Sequence, residues 1–341
     1  MKNFEGKVAF ITGGASGAGF GQAQIFSEAG MKVVIADVND ARLAEAQAYF
    51  DGKGAPAHTL KLDVRDRDQW AAAAAETEKK FGVPDLLVLT AGVNAFGPAE
   101  ATTYEDYDWI MGVCLGGVVN GLVTFVPRMI KAGGQRHIAS TVSYGAFVAG
   151  ATTAPYTAAK RAVLSLLESY WIALKPYNIG VTALCPANIN SNIWEAALKH
   201  KEAGGSSGYA VTEKGYNFLA SIHKNGMDPR VLAEWLKEAV ENEQFLCLPY
   251  KHAENMVRSE IQRWIDYTTL GGQQLADYRQ TLPKSKLDFE IMMEREGTSM
   301  MGGPPPVEGQ EAPPPSFNLD TGGFGMASGD IDWVADNKKY K

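Results

Sequence analysis

Short apolar runs alternate with helical stretches through most of this 341-residue chain. The runs are rich in Val, Ile and Leu, and few of them alternate with polar residues, as expected for parallel strands covered on both faces. Stretches such as 39–50, 66–81 and 157–176 have helical character between them. This rhythm predicts an α/β fold with a doubly wound parallel sheet of about seven strands. The predicted strands are "KVAFIT" (7–12), "KVVIAD" (32–37), "HTLKLD" (58–63), "DLLVLT" (85–90), "RHIAST" (136–141), "GVTALC" (180–185) and "QFLCLP" (244–249).

The pattern divides the chain into a strand-and-helix body and a C-terminal extension. We expect residues 1–250 to form one domain, interrupted by a longer insertion at 188–227 that contains "GGSSG". Residues 251–341 follow as an extension that begins with an amphipathic helix at 252–269. From Gly297 onward, Gly and Pro supply 14 of 45 residues, so we expect extended, polyproline-like backbone there rather than a second core.

Charge and cysteine content narrow the possible partners. Acidic residues outnumber basic ones, 39 against 32, which argues against nucleic acid or an anionic membrane as a partner. No run approaches the length needed to span a bilayer, and no signal peptide opens the chain. The five histidines show no metal-ligand spacing, and three cysteines in apolar surroundings suit reduced core thiols. We therefore expect a cytoplasmic, metal-independent protein.

A glycine-rich turn, "TGGASGAGFG" (12–21), follows the first predicted strand directly and leads into a helix. Gly13, Gly17 and Gly19 would let the backbone turn tightly and approach a pyrophosphate, and Ser16 lies within the same turn. The helix N-terminus would add free N–H groups and a positive dipole end. The alternative is an ordinary strand–helix turn, but the position in the first strand–helix unit favours a dinucleotide site.

Acidic residues end the second and third predicted strands. Asp37 can accept hydrogen bonds from the adenosine ribose hydroxyls and would repel a 2′-phosphate, which favours NAD over NADP. Asp63 and Val64 are candidates for holding the adenine edge. The alternatives are a helix N-terminal acid for Asp37 and turn chemistry for Asp63.

The motifs together resemble the short-chain dehydrogenase/reductase family in its compact branch, over about residues 5–250. They are "TGGASGAG" after strand one, "LDV" after strand three, "TAG" after strand four, Ser143, "YTAAK" and "CPANINS". "TAGVNAFGP" and "PANINSNI" are similar to the Cα-dehydrogenases that oxidise benzylic alcohols in lignin β-aryl ethers. The resemblance implies a Rossmann-type fold.

The resemblance also assigns roles to residues. Tyr156 would be the general acid/base, and Lys160, one helical turn later, would favour the phenolate and bind the nicotinamide ribose. Ser143 would hold the substrate oxygen. Tyr156 and Lys160 would thus serve both chemistry and cofactor binding. The remaining cofactor contacts implied are Thr90, Ala91, Gly92, Pro186, Ile189 and Ser191.

The sequence departs from the family pattern at four positions. Ser191 replaces the usual Thr near the nicotinamide amide and retains the hydroxyl. Cys114 stands where the family usually has the Asn that anchors the Lys through a water, so the proton relay would weaken or pass through Asn120. Thr90 replaces the usual Asn of the motif after strand four, a loss that concerns sheet stability more than chemistry. Ala187 replaces the usual Gly after Pro186.

The main hypothesis is an NAD-dependent oxidoreductase acting on a bulky, apolar, aromatic secondary alcohol or its ketone. Aromatic residues in the 188–227 insertion suggest a substrate lid, with Gly204, Gly205 and Gly208 as hinges; they are Trp194, Tyr209, Tyr216 and Phe218. A catalytically weak NAD-binding regulatory protein on the same fold is the alternative. An epimerase or dehydratase of nucleotide sugars would need a larger C-terminal domain.

Assembly is a further expectation. The resemblance implies a homodimer or homotetramer. Residues 271–341 are expected to form an arm that crosses to a neighbouring subunit, with a disordered tail as the alternative.

Overall fold

The computed structural model describes residues 1–250 and 253–269. Seven strands are present in these ranges: β1 (Val8–Thr12), β2 (Lys32–Asp37), β3 (Ala57–Lys61), β4 (Leu86–Leu89), β5 (Arg136–Thr141), β6 (Ile179–Leu184) and β7 (Leu246–Cys247). The α-helices are α1 (Gly17–Glu28), α2 (Asp40–Gly52), α3 (Arg67–Lys80), α4 (Tyr104–Met111), α5 (Gly117–Ala132), α6 (Ala154–Ala173), α7 (Ala196–Glu202), α8 (Glu213–Lys224), α9 (Pro229–Glu241) and α10 (Ala253–Thr269).

The strands form one parallel sheet in the order β3-β2-β1-β4-β5-β6-β7. The chain moves outward from β1 in one direction to β3 and then crosses back to β4, so the strand order reverses between β1 and β4. Ligands of open parallel sheets bind at such a switch point, outside the carboxyl ends of the strands. The predicted doubly wound sheet is confirmed, and this edge is the place to look for the site.

Two apolar cores cover the two faces of the sheet. On one face, the rings of Phe10, Trp70 and Phe125 lie within 6.2 Å of one another by centroid. On the other, Phe26 and Leu236 belong to a second core that brings α1 and α9 together over the sheet. All five residues of β1 are buried, which explains why its sequence shows no polar alternation.

One helix runs without a break from Tyr104 to Ala132, because α4 continues through a π-helical turn, Gly112–Gly116, into α5. With 29 residues and a mean hydropathy of 1.9 over its most apolar stretch, this helix is long and apolar enough to cross a membrane, judged by length and composition alone. The expectation that no run reaches that length was therefore wrong. Of its most apolar window, 56% is buried within the fold, as in the core helix of a globular domain.

The insertion at 188–227 lies between β6 and α9 and contains a 3-10 turn, α7 and α8. Helix α10 lies within the range 252–269, where the sequence predicts a helix, and the Arg161 guanidinium of α6 lies 3.9 Å from the centre of its Trp264 ring. The extended arm predicted over 271–341 lies outside the described residues. The division of the chain at residue 250 stays a prediction.

Candidate active site

The glycine-rich turn after β1 is packed too tightly for side chains. A Cβ on Gly13, whose φ is +63°, would lie 2.9 Å from Ala91 Cα, and one on Gly19 would lie 2.2 Å from Gly13 O. The turn therefore packs against the segment after β4, and only glycine fits at these two positions.

Helix α1 differs from its neighbours at its N-terminus. Ser16 is the N-cap residue but makes no side-chain capping hydrogen bond. Helices α2, α3 and α9 are capped by the side chains of Asn39, Asp66 and Asp228. The first N–H groups of α1 are thus left without a side-chain acceptor, beside the turn that the sequence assigned to a pyrophosphate.

Asp37 ends β2 and faces the glycine-rich turn. Its carboxylate accepts hydrogen bonds from Ala15 N at 3.2 Å and Asn39 N at 3.1 Å. The cap of α2 is Asn39, whose side chain accepts from Arg42 N. Asp37 is therefore not the helix cap of the alternative interpretation, and its carboxylate lies at the edge where the cofactor is expected.

Asp63 is engaged within its own turn. Its carboxylate accepts from Arg65 Nη2 at 2.7 Å and Arg65 Nε at 3.0 Å, which holds the pKa of Asp63 below its ordinary value. The carbonyl of Val64 accepts from Trp70 Nε1 at 2.8 Å and Asn120 Nδ2 at 3.0 Å. The Asp63 carboxylate is thus held by Arg65 within its own turn, and its contact with the adenine edge stays a prediction.

Ser143 and Tyr156 meet at the carboxyl end of β5. Ser143 follows the strand by two residues, and its Oγ accepts from Gly145 N at 2.9 Å. Tyr156 lies in the first turn of α6; burial raises its pKa, and the nearby Ser143 hydroxyl acts in the opposite direction. The positive end of the α6 dipole lies beside the phenol, which favours an anion there. The predicted pair is brought together as a proton-transfer site requires.

Lys160 lies one turn further along α6, with only 4% of its surface exposed. Its Nζ donates to Thr141 O at 2.8 Å and is 5.6 Å from the centre of the Tyr156 ring. Burial lowers the pKa of Lys160 and raises that of Tyr156. The sequence predicts that Lys160 favours the phenolate of Tyr156. In the cofactor-free protein, the effect of burial on the pKa of Tyr156 is larger and favours the neutral phenol.

Cys114, in the π-helical turn, is fully buried. Its Sγ accepts from Val93 N at 3.4 Å and donates to Val93 O at 3.2 Å. Burial raises the pKa of the thiol, although the Lys160 ammonium acts in the opposite direction. Cys114 is thus a neutral thiol that fastens the long helix to the segment after β4.

Asn120, suggested from the sequence as a substitute in the proton relay, faces another part of the sheet. Its Nδ2 donates to Val64 O at 3.0 Å and Arg65 O at 3.4 Å, both after β3. Lys160 bonds to the end of β5, and β2, β1 and β4 separate β3 from β5. The relay role suggested for Asn120 is therefore contradicted.

Thr90 belongs to a buried polar cluster that the sequence analysis missed. Its Oγ1 donates to Gln22 Oε1 at 2.6 Å and shares a hydrogen bond of 2.8 Å with Thr141 Oγ1. Gln22 Nε2 donates to Thr141 Oγ1 at 3.1 Å. Thr12 Oγ1 accepts from Thr90 N at 3.0 Å and Ala91 N at 3.2 Å. The available signal was that β1 and β5 end in Thr and β4 is followed directly by Thr.

The loop after β6 closes the site from the other side. Pro186 O accepts from Tyr144 N at 2.7 Å, and Ile189 pairs with Met227 as an isolated bridge. A Cβ on Gly17 would lie 3.1 Å from Ser191 Cβ. The loop assigned to the nicotinamide thus returns to the glycine-rich turn assigned to the pyrophosphate.

Part of the 188–227 insertion is firmly docked. Tyr209 is buried and hydrogen-bonded to Thr102 at 2.6 Å, so packing explains this aromatic residue. A Cβ on Gly208 would lie 2.0 Å from Ala101 O, and one on Gly205 would lie 2.2 Å from the His200 ring. Two of the three expected hinge glycines are therefore tightly packed, contrary to the prediction.

Asp106 fastens this insertion to α4. Its carboxylate accepts from Gly208 N at 3.0 Å, from Thr103 N at 3.0 Å, from the Thr103 hydroxyl and from the Ser207 side chain. Burial raises the pKa of Asp106, but these hydrogen bonds together hold it below its ordinary value. The buried carboxylate was not singled out from the sequence, where "TTYED" reads as an ordinary helix start.

Comparison with known proteins agrees with this geometry. Residues 7–202 match the family model described as short chain dehydrogenase. A Cα-dehydrogenase of Sphingobium sp. (strain NBRC 103272 / SYK-6) is 49% identical over 267 residues, covering 78% of this chain and 88% of that relative. The chain is therefore an oxidoreductase that belongs to the short-chain dehydrogenase family.

Solved structures agree in fold. The apo form of LigD from Sphingobium sp. strain SYK-6 is similar with a TM-score of 0.65 and 42% identity, covering 79% of this chain and 99% of that one. A short-chain dehydrogenase/reductase from Burkholderia phymatum, in complex with NAD, gives a TM-score of 0.71 at 30% identity, covering 76% of this chain and 94% of that one.

Asp106→Asn should loosen the docked insertion, because Oδ2 receives the hydrogen bonds from Gly208 N, Thr103 N and the Thr103 hydroxyl, and a neutral amide oxygen accepts them more weakly than a carboxylate. We expect trypsin to cleave after Lys199 and Lys201 in α7 about tenfold faster, from the loss of roughly 1.5 kcal/mol. Asp108→Asn, an exposed change of the same charge on the same helix, is the control. Equal cleavage rates in both variants would contradict the role of Asp106.

Proposed function

We propose that the protein oxidises a secondary alcohol to a ketone with NAD as the hydride acceptor, and that Tyr156 is the acid/base. The observation that carries the proposal is the position of Tyr156 beside the buried Lys160, whose Nζ lies 5.6 Å from the centre of the Tyr156 ring, with Ser143 at the same strand end. These groups lie at the carboxyl edge of the sheet, where parallel sheets bind their ligands. The relative named Cα-dehydrogenase supports alcohol oxidation.

The proton moves through Tyr156. In oxidation, the phenolate takes the proton of the substrate hydroxyl, while Ser143 donates a hydrogen bond to the substrate oxygen as it gains alkoxide character. In reduction, the phenol returns that proton to the carbonyl oxygen. When bound, NAD⁺ supplies the hydride acceptor and a positive charge near the phenol. Because burial raises the pKa of Tyr156, oxidation depends on that charge and on Lys160.

The residues around the glycine-rich turn fit a dinucleotide. The N–H groups of α1, with no side-chain cap from Ser16, suit a pyrophosphate. Gly13 and Gly19 leave no space for a Cβ, so glycine at both positions keeps the turn tight before α1, as a pyrophosphate-binding turn requires. Asp37 suits the ribose hydroxyls and disfavours a 2′-phosphate. The rest of the proposed cofactor site comprises Gly17, Asp63, Val64, Thr90, Ala91, Gly92, Tyr156, Lys160, Pro186, Ile189 and Ser191.

The substrate we propose is bulky, apolar and aromatic. Trp194, Tyr216 and Phe218 of the 188–227 insertion are half-buried, unlike the fully packed Tyr209, so their rings keep some exposed surface. Partly exposed aromatic rings in the segment that follows the proposed nicotinamide loop suit an aryl alcohol.

We also propose a cytoplasmic homodimer or homotetramer. The three cysteines are free and buried, which suits a reducing compartment. The arm at 271–341, outside the described residues, remains the proposed cross-subunit element.

A weakly catalytic NAD-binding protein is the second candidate, and Cys114 favours it. The neutral thiol bonds to Val93 and offers Lys160 no strong hydrogen-bonding partner of the kind that an amide would give. Turnover distinguishes the two candidates.

Tyr156→Phe should lower kcat for oxidation of aryl secondary alcohols by about a thousandfold, because only the proton carrier is lost. NAD affinity should change by less than about threefold. Tyr170→Phe, the same substitution further along α6, serves as the control. The assignment fails if Tyr156→Phe keeps activity within a few-fold of the parent, and a parent without turnover would favour the regulatory candidate.

Because of Asp37, kcat/KM with NAD should exceed kcat/KM with NADP by roughly 10–150-fold. This factor corresponds to the free energy of one charge-assisted hydrogen bond. Asp37→Ala should reduce that ratio by a similar factor, mainly through weaker use of NAD. Asp40→Ala removes an exposed carboxylate that pairs with Lys61, and it should leave the ratio unchanged. Comparable efficiency of the parent with both cofactors would refute the assignment.

A further inference from the structure

We propose that Gln22 is a positioning residue that holds Lys160 in place through a closed ring of hydrogen bonds with Thr90 and Thr141. The inference rests on the proposed function, since Lys160 acts there beside Tyr156. Gln22 lies on α1, is fully buried and touches none of the proposed reacting groups itself.

The three hydrogen bonds of the ring all run in the same direction from donor to acceptor. Thr90 donates its hydroxyl proton to Gln22 Oε1 at 2.6 Å, so Thr90 Oγ1 must accept from the Thr141 hydroxyl at 2.8 Å. Thr141 Oγ1 in turn accepts from Gln22 Nε2 at 3.1 Å. Each hydroxyl donates once and accepts once, and the amide does the same. Such a closed chain is stronger than three separate bonds, because each bond polarises the next.

The ring fixes the end of β5. Thr141 joins the ring through its side chain and accepts Lys160 Nζ through its carbonyl at 2.8 Å. Ser143 lies only two residues further along the chain. A fixed Thr141 therefore positions two groups. One is the carbonyl that accepts from Lys160 Nζ, and the other is Ser143 beyond the strand end.

The ring also joins separate elements. Gln22 belongs to α1, Thr90 follows β4 and Thr141 ends β5. Thr12, the last residue of β1, binds the N–H groups of Thr90 and Ala91. Helix α1, which follows the glycine-rich turn, is thus hydrogen-bonded directly to the end of β5, where the Thr141 carbonyl accepts from Lys160.

An amide suits position 22. The ring needs a donor and an acceptor on one side chain, long enough to reach from α1 to β4 and β5. An ionised carboxylate of the same shape keeps the acceptor but has no proton for Thr141, whereas a protonated carboxyl group would keep both. An apolar side chain would leave both threonine hydroxyls short of a partner inside the fold.

The experiment compares Gln22→Met with Gln24→Met. Both replace an amide on α1 with an apolar side chain of similar length, but Gln24 is half-exposed and outside the ring. We expect Gln22→Met to lower kcat for alcohol oxidation about tenfold or more, because a small displacement of Lys160 misaligns proton transfer. The KM for the alcohol and the Kd for NAD should stay within about threefold of the parent. Gln24→Met should match the parent.

A second set of variants covers the case in which Gln22→Met does not fold. Thr90→Val removes one hydroxyl of the ring and should lower kcat about tenfold, whereas Thr90→Ser should restore most of it. Thr77→Val removes a buried hydroxyl on α3 that bonds to Ala73 O, and it should lower only the melting temperature.

A readout without substrate separates this proposal from the proposed function. The pH midpoint of Lys160 in the cofactor-free protein, measured by carbon-13 NMR with labelled lysine and assigned by loss of the signal in Lys160→Met, should shift by more than about half a unit when the ring is broken. If the parent oxidises no secondary alcohol, the proposed function fails, and this titration alone then tests the positioning role of Gln22. An unchanged midpoint, kcat within twofold of the parent, or a loss shared equally by Thr77→Val would overturn the proposal.

Discussion

A buried ammonium must be compensated inside the fold, and the hydrogen bond between Lys160 Nζ and Thr141 O does this at 2.8 Å. Lys160 is 4% exposed, so water supplies little of the missing hydration. One carbonyl leaves the ammonium incompletely solvated, and its pKa falls below the ordinary value. The position of β5 therefore determines how much charge stands beside Tyr156, and the site depends on whatever fixes that strand end.

The end of β5 is held in place near the point where the strand order of the sheet reverses. Thr12, Thr90 and Thr141 lie at the carboxyl ends of adjacent strands, and Gln22 reaches them from α1. The glycine-rich turn packs against Ala91 at the same edge. The N-terminal half of α1, the strand ends and Lys160 of α6 are thus joined by hydrogen bonds at one edge of the sheet.

The sequence was sufficient for the sheet, because buried parallel strands read as unbroken apolar runs and a glycine-rich turn marks the first strand–helix unit. It also pointed to Ser143, Tyr156 and Lys160, which the structure brings together. Gln22 and Asp106 could not be found this way, because their partners are distant in the sequence and a buried polar residue on a helix looks like an exposed one. The suggestion of Asn120 failed for the same reason: proximity along a helix does not say which strand end a side chain faces.

The most direct test of the account is the pKa of Lys160 in the cofactor-free protein, measured by carbon-13 NMR with labelled lysine and assigned by loss of the signal in Lys160→Met. Because the ammonium is buried against a single carbonyl, the account predicts a pKa below the ordinary value of 10.5 and below those of the exposed lysines. A Lys160 signal that titrates with the exposed lysines, at or above 10.5, would contradict it.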